Sequence, residues 1–270
     1  MLTNTGANAT ARSWQTGAMA LVFAVALSGC ANSKLTTGSI GRDSGKPIAQ
    51  MSSQELDTAA GTLGRSYAKD PANKAVALRY ASVLQMDGRT DQALAVMRKL
   101  AITHPKDRDV LAAYGKALAA AGQLEPALDA VRRAQTPEYP DWRLLSAEAA
   151  ILDQLGRQGD ARALYRRALD MKPNEPSVLS NLGMSYLLEG DLKSAETHMR
   201  AAATAPGADS RVRQNLALVV GLQGRFEEAE TLARQELSPQ QAEANVTYLR
   251  SMLAQQNAWS EIKDEEKNTN

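Results

Sequence analysis

Val178-Leu-Ser-Asn-Leu-Gly-Met-Ser-Tyr-Leu-Leu-Glu-Gly-Asp-Leu-Lys-Ser-Ala195 carries the pattern on which the fold turns. Leu179, Leu182 and Tyr186 recur at helical spacing up to Gly190, and Leu192, Ala195, Met199 and Ala202 take up the same spacing after it. Gly190 therefore marks the end of one helix and the turn into a second. Reading outward in both directions, the punctuation repeats. Glycines stand at Gly88, Gly122, Gly156, Gly190 and Gly224, each 34 residues after the last. Alanines follow in the same register at Ala93, Ala127, Ala161, Ala195 and Ala229. A small residue also precedes each glycine by seven, at Ala81, Gly115, Ala149, Gly183 and Ala217. Three registered series of this length are the signature of a repeat architecture.

The chemistry of these positions explains their spacing. Two antiparallel helices that cross closely need Ala or Gly at the crossing, since a larger side chain would hold them apart. The recurrent glycine suits a helix end that requires left-handed backbone. The period and the small-residue positions resemble the tetratricopeptide repeat, with units at 74–107, 108–141, 142–175, 176–209 and 210–243. Pro105 and Pro173 close two of these units. The expected fold is all-α, a right-handed superhelical α-solenoid with a capping helix at each end, because an interior-type face left at the end of a stack would meet water. Leu56, Ala59, Leu63 and Tyr67 predict the first cap within 53–73, either a plain capping helix or the second half of a degenerate repeat. Val246, Leu249, Met252 and Leu253 predict the last cap over 244–260, and residues 261–270 read as a solvated, disordered tail.

The N-terminus has another character. Arg12 precedes an apolar run from Ala18 to Leu27, followed by Ser28, Gly29 and Cys30. Ten apolar residues span about 15 Å as a helix, half of a roughly 30 Å hydrocarbon core, so residues 1–29 read as an export signal, not a permanent span. Cys30 is the one cysteine in the chain, which excludes an intramolecular disulfide. Leu27-Ser28-Gly29-Cys30 resembles the bacterial lipobox, which implies cleavage before Cys30 and a covalent lipid on it. Several acyl chains at about 0.8 kcal/mol per buried methylene give stable anchoring. Asn32, with no aspartate beside Cys30, favours the outer membrane under the sorting rules of that resemblance, with the protein on its periplasmic face. Residues 30–52 are rich in Ser, Thr, Gly and Asn and read as a flexible tether of about 25 Å.

Composition narrows the function. Thirty-one basic residues against 30 acidic ones give a net charge of +1, which argues against a nucleic-acid surface. His104 and His198 are the only histidines, so neither a zinc ligand set nor a nucleophile–base pair is present in the sequence. The glycines are spaced by repeat and do not cluster into a phosphate cradle. Arg132-Arg133 and Arg166-Arg167 recur at equivalent places and belong to the outer surface. No catalytic residue, metal site, small-molecule substrate or cofactor is expected beyond the lipid on Cys30, and the chain reads as a non-enzyme.

Function then falls to the groove lined by first helices, where stacked repeats present a concave surface. By tetratricopeptide positions, Arg143, Asp153, Gln154, Asn181, Met184, Arg211, Gln214 and Asn215 are the candidate partner-binding residues, with Ser146, Ser177, Leu188 and Leu222 beside them. Asn181 and Asn215 are equivalent. In peptide-clamping relatives an asparagine there binds ligand backbone, and an amide offers both donor and acceptor. The alternative, that these amides bond neighbouring helices, stays open at this point. Ser146 and Ala150 stand where a chaperone-carboxylate clamp would need lysine and asparagine.

A closer resemblance is carried by Asn181–Glu196, Arg211–Glu230 and Ala244–Leu253 together with the lipobox. These are similar to the TadD family, tetratricopeptide lipoproteins of the tight-adherence (Flp) pilus assembly system. The resemblance implies an outer-membrane scaffold or assembly factor whose partners are proteins of a pilus or secretion apparatus, with the secretin among them. The second reading of the same surface is an envelope adaptor that recruits cell-wall hydrolases or proteases.

Overall fold

The structure, a computed structural model, describes residues 47–136, 138 and 140–268. The expected export signal over 1–29, Cys30, and all but the last six residues of the tether lie outside them. Among the described residues the regular structure is helical: a 3-10 turn at Ile48–Gln50 and twelve α-helices. The first is α1 (Ser53–Lys69). Five pairs follow: α2 (Lys74–Met86) with α3 (Thr90–Thr103), α4 (Arg108–Ala120) with α5 (Leu124–Ala134), α6 (Trp142–Gln154) with α7 (Gln158–Met171), α8 (Pro176–Glu189) with α9 (Leu192–Thr204), and α10 (Ser210–Leu222) with α11 (Phe226–Ala233). The last helix is α12 (Pro239–Asn268).

Each pair is delimited by local chemistry. Asn73, Asp107, Asp141 and Asp209 cap the first helices through side-chain oxygens that accept backbone N–H groups, satisfying donors that a helix start leaves open. Glu175 occupies the same register without capping, and Pro176 begins that helix instead, where a missing N–H costs nothing. At the other end, Arg89, Gln123, Arg157, Asp191 and Arg225 donate N–H to the carbonyls of Leu84, Leu118, Leu152, Tyr186 and Val220 at 2.8–3.3 Å. This reverse turn needs left-handed backbone one residue earlier, which Gly156 supplies at φ +76°.

The helices cross where the small residues are. A Cβ added to Gly183 would lie 2.7 Å from Met199 Cγ and 3.0 Å from the Ala195 carbonyl oxygen; at Gly115 it would lie 2.6 Å from Val131 Cγ2 and 3.1 Å from Ala127 O. Around these crossings Leu84, Met97, Leu100, Leu118, Leu152, Leu182 and Met199 are fully buried. One apolar cluster runs from Leu56 to Leu182, and smaller ones complete the interior beyond it.

The packing order defines two layers. Every helix packs on its sequence neighbours, and in addition α2, α4, α6, α8, α10 and α12 each pack on the next of their own kind. First helices therefore form an inner layer and second helices an outer one, as expected of a tetratricopeptide α-solenoid.

Both ends differ from the expectation. Residues 47–52, read as tether, hold the 3-10 turn at Ile48–Gln50 and the N-cap Ser52 of α1, with Ile48 and Met51 packed against the core, because these two are apolar enough to hold a short segment down. α1 sits in second-helix register, with Leu56 and Ala60 buried against the stack. α11 is only 8 residues long, so α12 starts at Pro239, before the expected 244, and supplies a sixth inner-layer helix through Ala242 and Val246. It also continues to Asn268, so residues 261–268 of the tail read as disordered are helical, and the last two lie outside the described residues; no Gly or Pro follows Pro239, and Glu and Lys favour helix.

Candidate functional site

The inner layer places the predicted groove residues on first helices, and their surroundings separate them into kinds. Asn181 on α8 donates from Nδ2 to Ser146 Oγ on α6 at 3.4 Å. Asn215 on α10 does the same to Ser180 Oγ on α8 at 3.1 Å. Both serines are buried and both asparagines half-buried. Each amide thus spends one end on the preceding repeat, while no hydrogen bond is found to its Oδ1 among the described residues. The two readings of these asparagines are compatible: the bond to serine occupies the amide nitrogen and leaves the half-buried amide without a second use among the described residues. Ala113 and Ala147 hold the equivalent places in the earlier units, so the polar ladder belongs to the third, fourth and fifth repeats.

Arg143 is exposed, lies 4.5 Å over the Trp142 ring and has Asp141 at 3.9 Å. Arg211 is half-buried and donates to Asp209 at 2.8 Å. These guanidiniums sit beside the carboxylates that cap their helices, so the N-terminal edge of the groove is ionic but internally paired. Lys74 extends this edge, gripping Asp107 at 2.7 Å and Asp109 at 2.9 Å; burial alone would lower its pKa, yet the two carboxylates raise it. Gln214 is exposed and bonded to Ser210, and Ser177 is bonded to Glu175. At the C-terminal edge Gln154 folds back on the Ala150 carbonyl, while Met184, Leu188 and Leu222 are half-buried. The groove is therefore graded across its width, from paired ions through amides to apolar side chains, a profile suited to a peptide or helix with one apolar face.

Asp153 departs from its predicted role. It is buried at 7% exposure and accepts hydrogen bonds from Ser185 Oγ at 2.7 Å and Tyr165 Oη at 3.0 Å. The side chain is part of the α6–α7–α8 interior, not of the groove surface, because the helix turns that position toward its neighbours. Burial raises its pKa from 3.8 to about 6, against the lowering effect of both hydroxyls and the Arg162 charge. Position counting missed Ser180, Ser185 and Tyr165; Ser180 was within reach, since it lies 34 residues after Ser146.

Of the two histidines, one packs and one sits in a turn. His198 stacks on Tyr186 with ring centroids 5.3 Å apart, and burial with nearby Arg166 lowers its pKa. His104 shares a hydrogen bond with Thr103. Among the described residues no group of three or more His, Cys, Asp or Glu is arranged to hold a metal, and no helix is long and apolar enough to cross a membrane.

Fold and groove define a helical-repeat scaffold for protein–protein interaction. The chain belongs to the tetratricopeptide-repeat proteins: family models described as tetratricopeptide repeat match residues 50–117, 109–176, 147–210 and 211–235. No curated protein matches the sequence. Among solved structures, a thermophilic tetratricopeptide-repeat protein of Thermus thermophilus is similar with TM-score 0.56 and 20% identity, over 64% of this chain and 96% of that one. PilW, described as a widely conserved type IV pilus biogenesis factor, is similar with TM-score 0.56 and 19% identity, over 74% and 91%. PilF of Pseudomonas aeruginosa is similar with TM-score 0.50 and 19% identity, over 71% and 90%. At these identities the likeness is one of fold.

Proposed function

We propose that the protein is a non-catalytic assembly scaffold, anchored by lipid on Cys30 to the periplasmic face of the outer membrane. Its first-helix groove captures a secretin or another export component of a tight-adherence (Flp) pilus. The observation that carries the binding half of this reading is the graded groove of the third to fifth repeats, in which Asn181 and Asn215 are pre-oriented by Ser146 and Ser180. Pre-orientation lowers the ordering cost of binding, which is how a shallow groove gains affinity. The pilus half is supported by the lipobox, by the resemblance of Asn181–Glu196 and Arg211–Glu230 to the TadD family, and by the fold it shares with a pilus biogenesis factor.

Deletion of the gene tests the reading. Cells lacking the protein should lose secretin multimers from the outer membrane and surface pili, and the wild-type chain should restore both. Normal secretin rings and pili in the deletion strain would overturn it, and defects in cell-wall turnover instead would favour the adaptor reading.

A further inference from the structure

We propose that the joint between the third and fourth repeats is a proton-sensitive hinge, closed when the buried Asp153 carboxyl is protonated and loosened when it ionises. The carboxyl lies where α6, α7 and α8 meet, accepting from Tyr165 Oη at 3.0 Å and Ser185 Oγ at 2.7 Å, and those two partners are 1% and 0% exposed. This polar centre interrupts an otherwise apolar or small-residue interior. Ala119, Leu187 and Gly221 stand at the positions equivalent to Asp153, Val131 and Met199 at those of Tyr165, Ile151 and Val219 at those of Ser185. A structural requirement of the repeat therefore does not explain it.

Two side-chain ties join the inner helices α6 and α8 at this joint, Ser146 with Asn181 and Asp153 with Ser185. The second is titratable. The groups around it come from three sides. On α7, Tyr165 donates to the carboxyl and Arg162 acts on it by charge. Arg162 is itself committed elsewhere, to Glu189 on α8 at 2.8 Å and to the face of Tyr186 at 4.9 Å. On the remaining neighbours, Lys116 of α4 and the Arg132–Glu148 pair linking α5 to α6 are not among the groups that shift it. Ionisation thus places a charge in the interior with two hydroxyls and a shared cation to hold it, which is incomplete compensation for lost water.

The direction follows from linkage. Burial lifts the carboxyl from 3.8 to about 6, so folding favours the protonated form: its stabilisation is complete below 3.8 and is lost as pH rises through 6. Between pH 5 and pH 7.5 the same two values give about a tenfold rise in the local opening equilibrium. α6 and α8 also carry Arg143, Gln154 and Asn181, so opening here changes the spacing at the centre of the groove. That last step alone rests on the groove reading.

Hydrogen–deuterium exchange of the full chain, corrected for the intrinsic pH dependence of exchange, tests the hinge without any partner. Amides of α6, α7 and α8 should lose about tenfold protection between pH 5 and pH 7.5, with α2 and α3 unchanged, and Asp153→Asn should flatten the response. The same slope in Asp153→Asn, or a flat wild-type profile, overturns the proposal. Should Asp153→Asn fail to fold, Ser185→Ala removes one donor to the carboxylate and must move the transition to higher pH; an unmoved transition overturns it equally. Because partner capture is not measured, a negative result leaves the groove reading standing, and a failed capture leaves the hinge standing.

Discussion

Replacing Gly115 by alanine puts the helix-crossing argument at risk. The added Cβ would meet Val131 Cγ2 at 2.6 Å, Ala127 O at 3.1 Å and Val131 N at 3.3 Å, against about 3.5–4.0 Å for an unstrained carbon contact. Val131 is β-branched and fully buried, so it can neither rotate cheaply nor move into space. Overpacking of this kind costs about 3 kcal/mol at the upper end of its usual range, and alanine returns about 1 kcal/mol of helix propensity over glycine. The net loss should be about 2 kcal/mol, or roughly 4–8 °C in Tm for a body of this size. Gly159 provides the control. It is helical with nothing within 4 Å of an added Cβ, so Gly159→Ala should be neutral or stabilising by roughly a few tenths of a kcal/mol. Urea unfolding followed by helical circular dichroism reads both. Pairing Gly115→Ala with Val131→Ala should recover about 1 kcal/mol as a coupling term, since the clash partner is gone. A Gly115→Ala chain within about 0.5 kcal/mol of wild type, or the same loss at Gly159, would refute the claim that close crossing is what the small-residue series encodes.

Other expectations follow from the groove and its supports. Asn181→Ala with Asn215→Ala should weaken partner capture at least about tenfold while the unfolding free energy falls by about 1–3 kcal/mol, the worth of two part-buried hydrogen bonds to neutral partners, and the chain stays folded; binding assays beside melting curves separate the two effects. Glu196 is held by Gln223, Arg225 and Arg200, whose hydrogen bonds outweigh burial and depress its pKa to about 2. Its contribution is therefore present above the ordinary 4.5 and lost as pH falls toward 2, and Glu196→Gln should cost about 1 kcal/mol at neutral pH, shrinking in high salt. Cys30→Ser should move the protein from the membrane to the soluble fraction without changing its helical signal. Persistent tight membrane association of that variant would remove the basis for a lipid anchor.

Much of this architecture is legible in the sequence because a repeat writes its constraints several times over. Gly183 and Gly190 look alike as letters, yet the register assigns them different jobs, and the geometry agrees: one lies against Met199, the other has open space and φ +88°. The series Asn73, Asp107, Asp141, Glu175, Asp209 was equally countable and marks every first-helix start, but a cap is a single polar residue that repeats only in type. Asp153 escaped the reading because a 34-residue register gives the helix position, and adjacent positions on the inner edge, about 100° apart around the helix, divide between groove and interior. Its hydroxyl partners come from α7 and α8, 12 and 32 residues away, and nothing in a linear pattern pairs them. The extent of α12 was hidden for the opposite reason, since a charged stretch without glycine or proline serves a solvated tail and a helix equally well.

Site-specific photo-crosslinking in intact cells tests the central claim most directly. Gln214 is an exposed residue on the inner-layer helix α10, at a position proposed to line the groove, and Arg167 an exposed residue on the outer helix α7, so a photoreactive side chain at each compares the two layers of one molecule. The groove position should yield a discrete adduct containing a secretin or another pilus-export subunit, and the outer position should not. Adducts from Arg167 alone, or none from Gln214 in cells that assemble pili, would contradict the account of a scaffold that holds its partner in the first-helix groove.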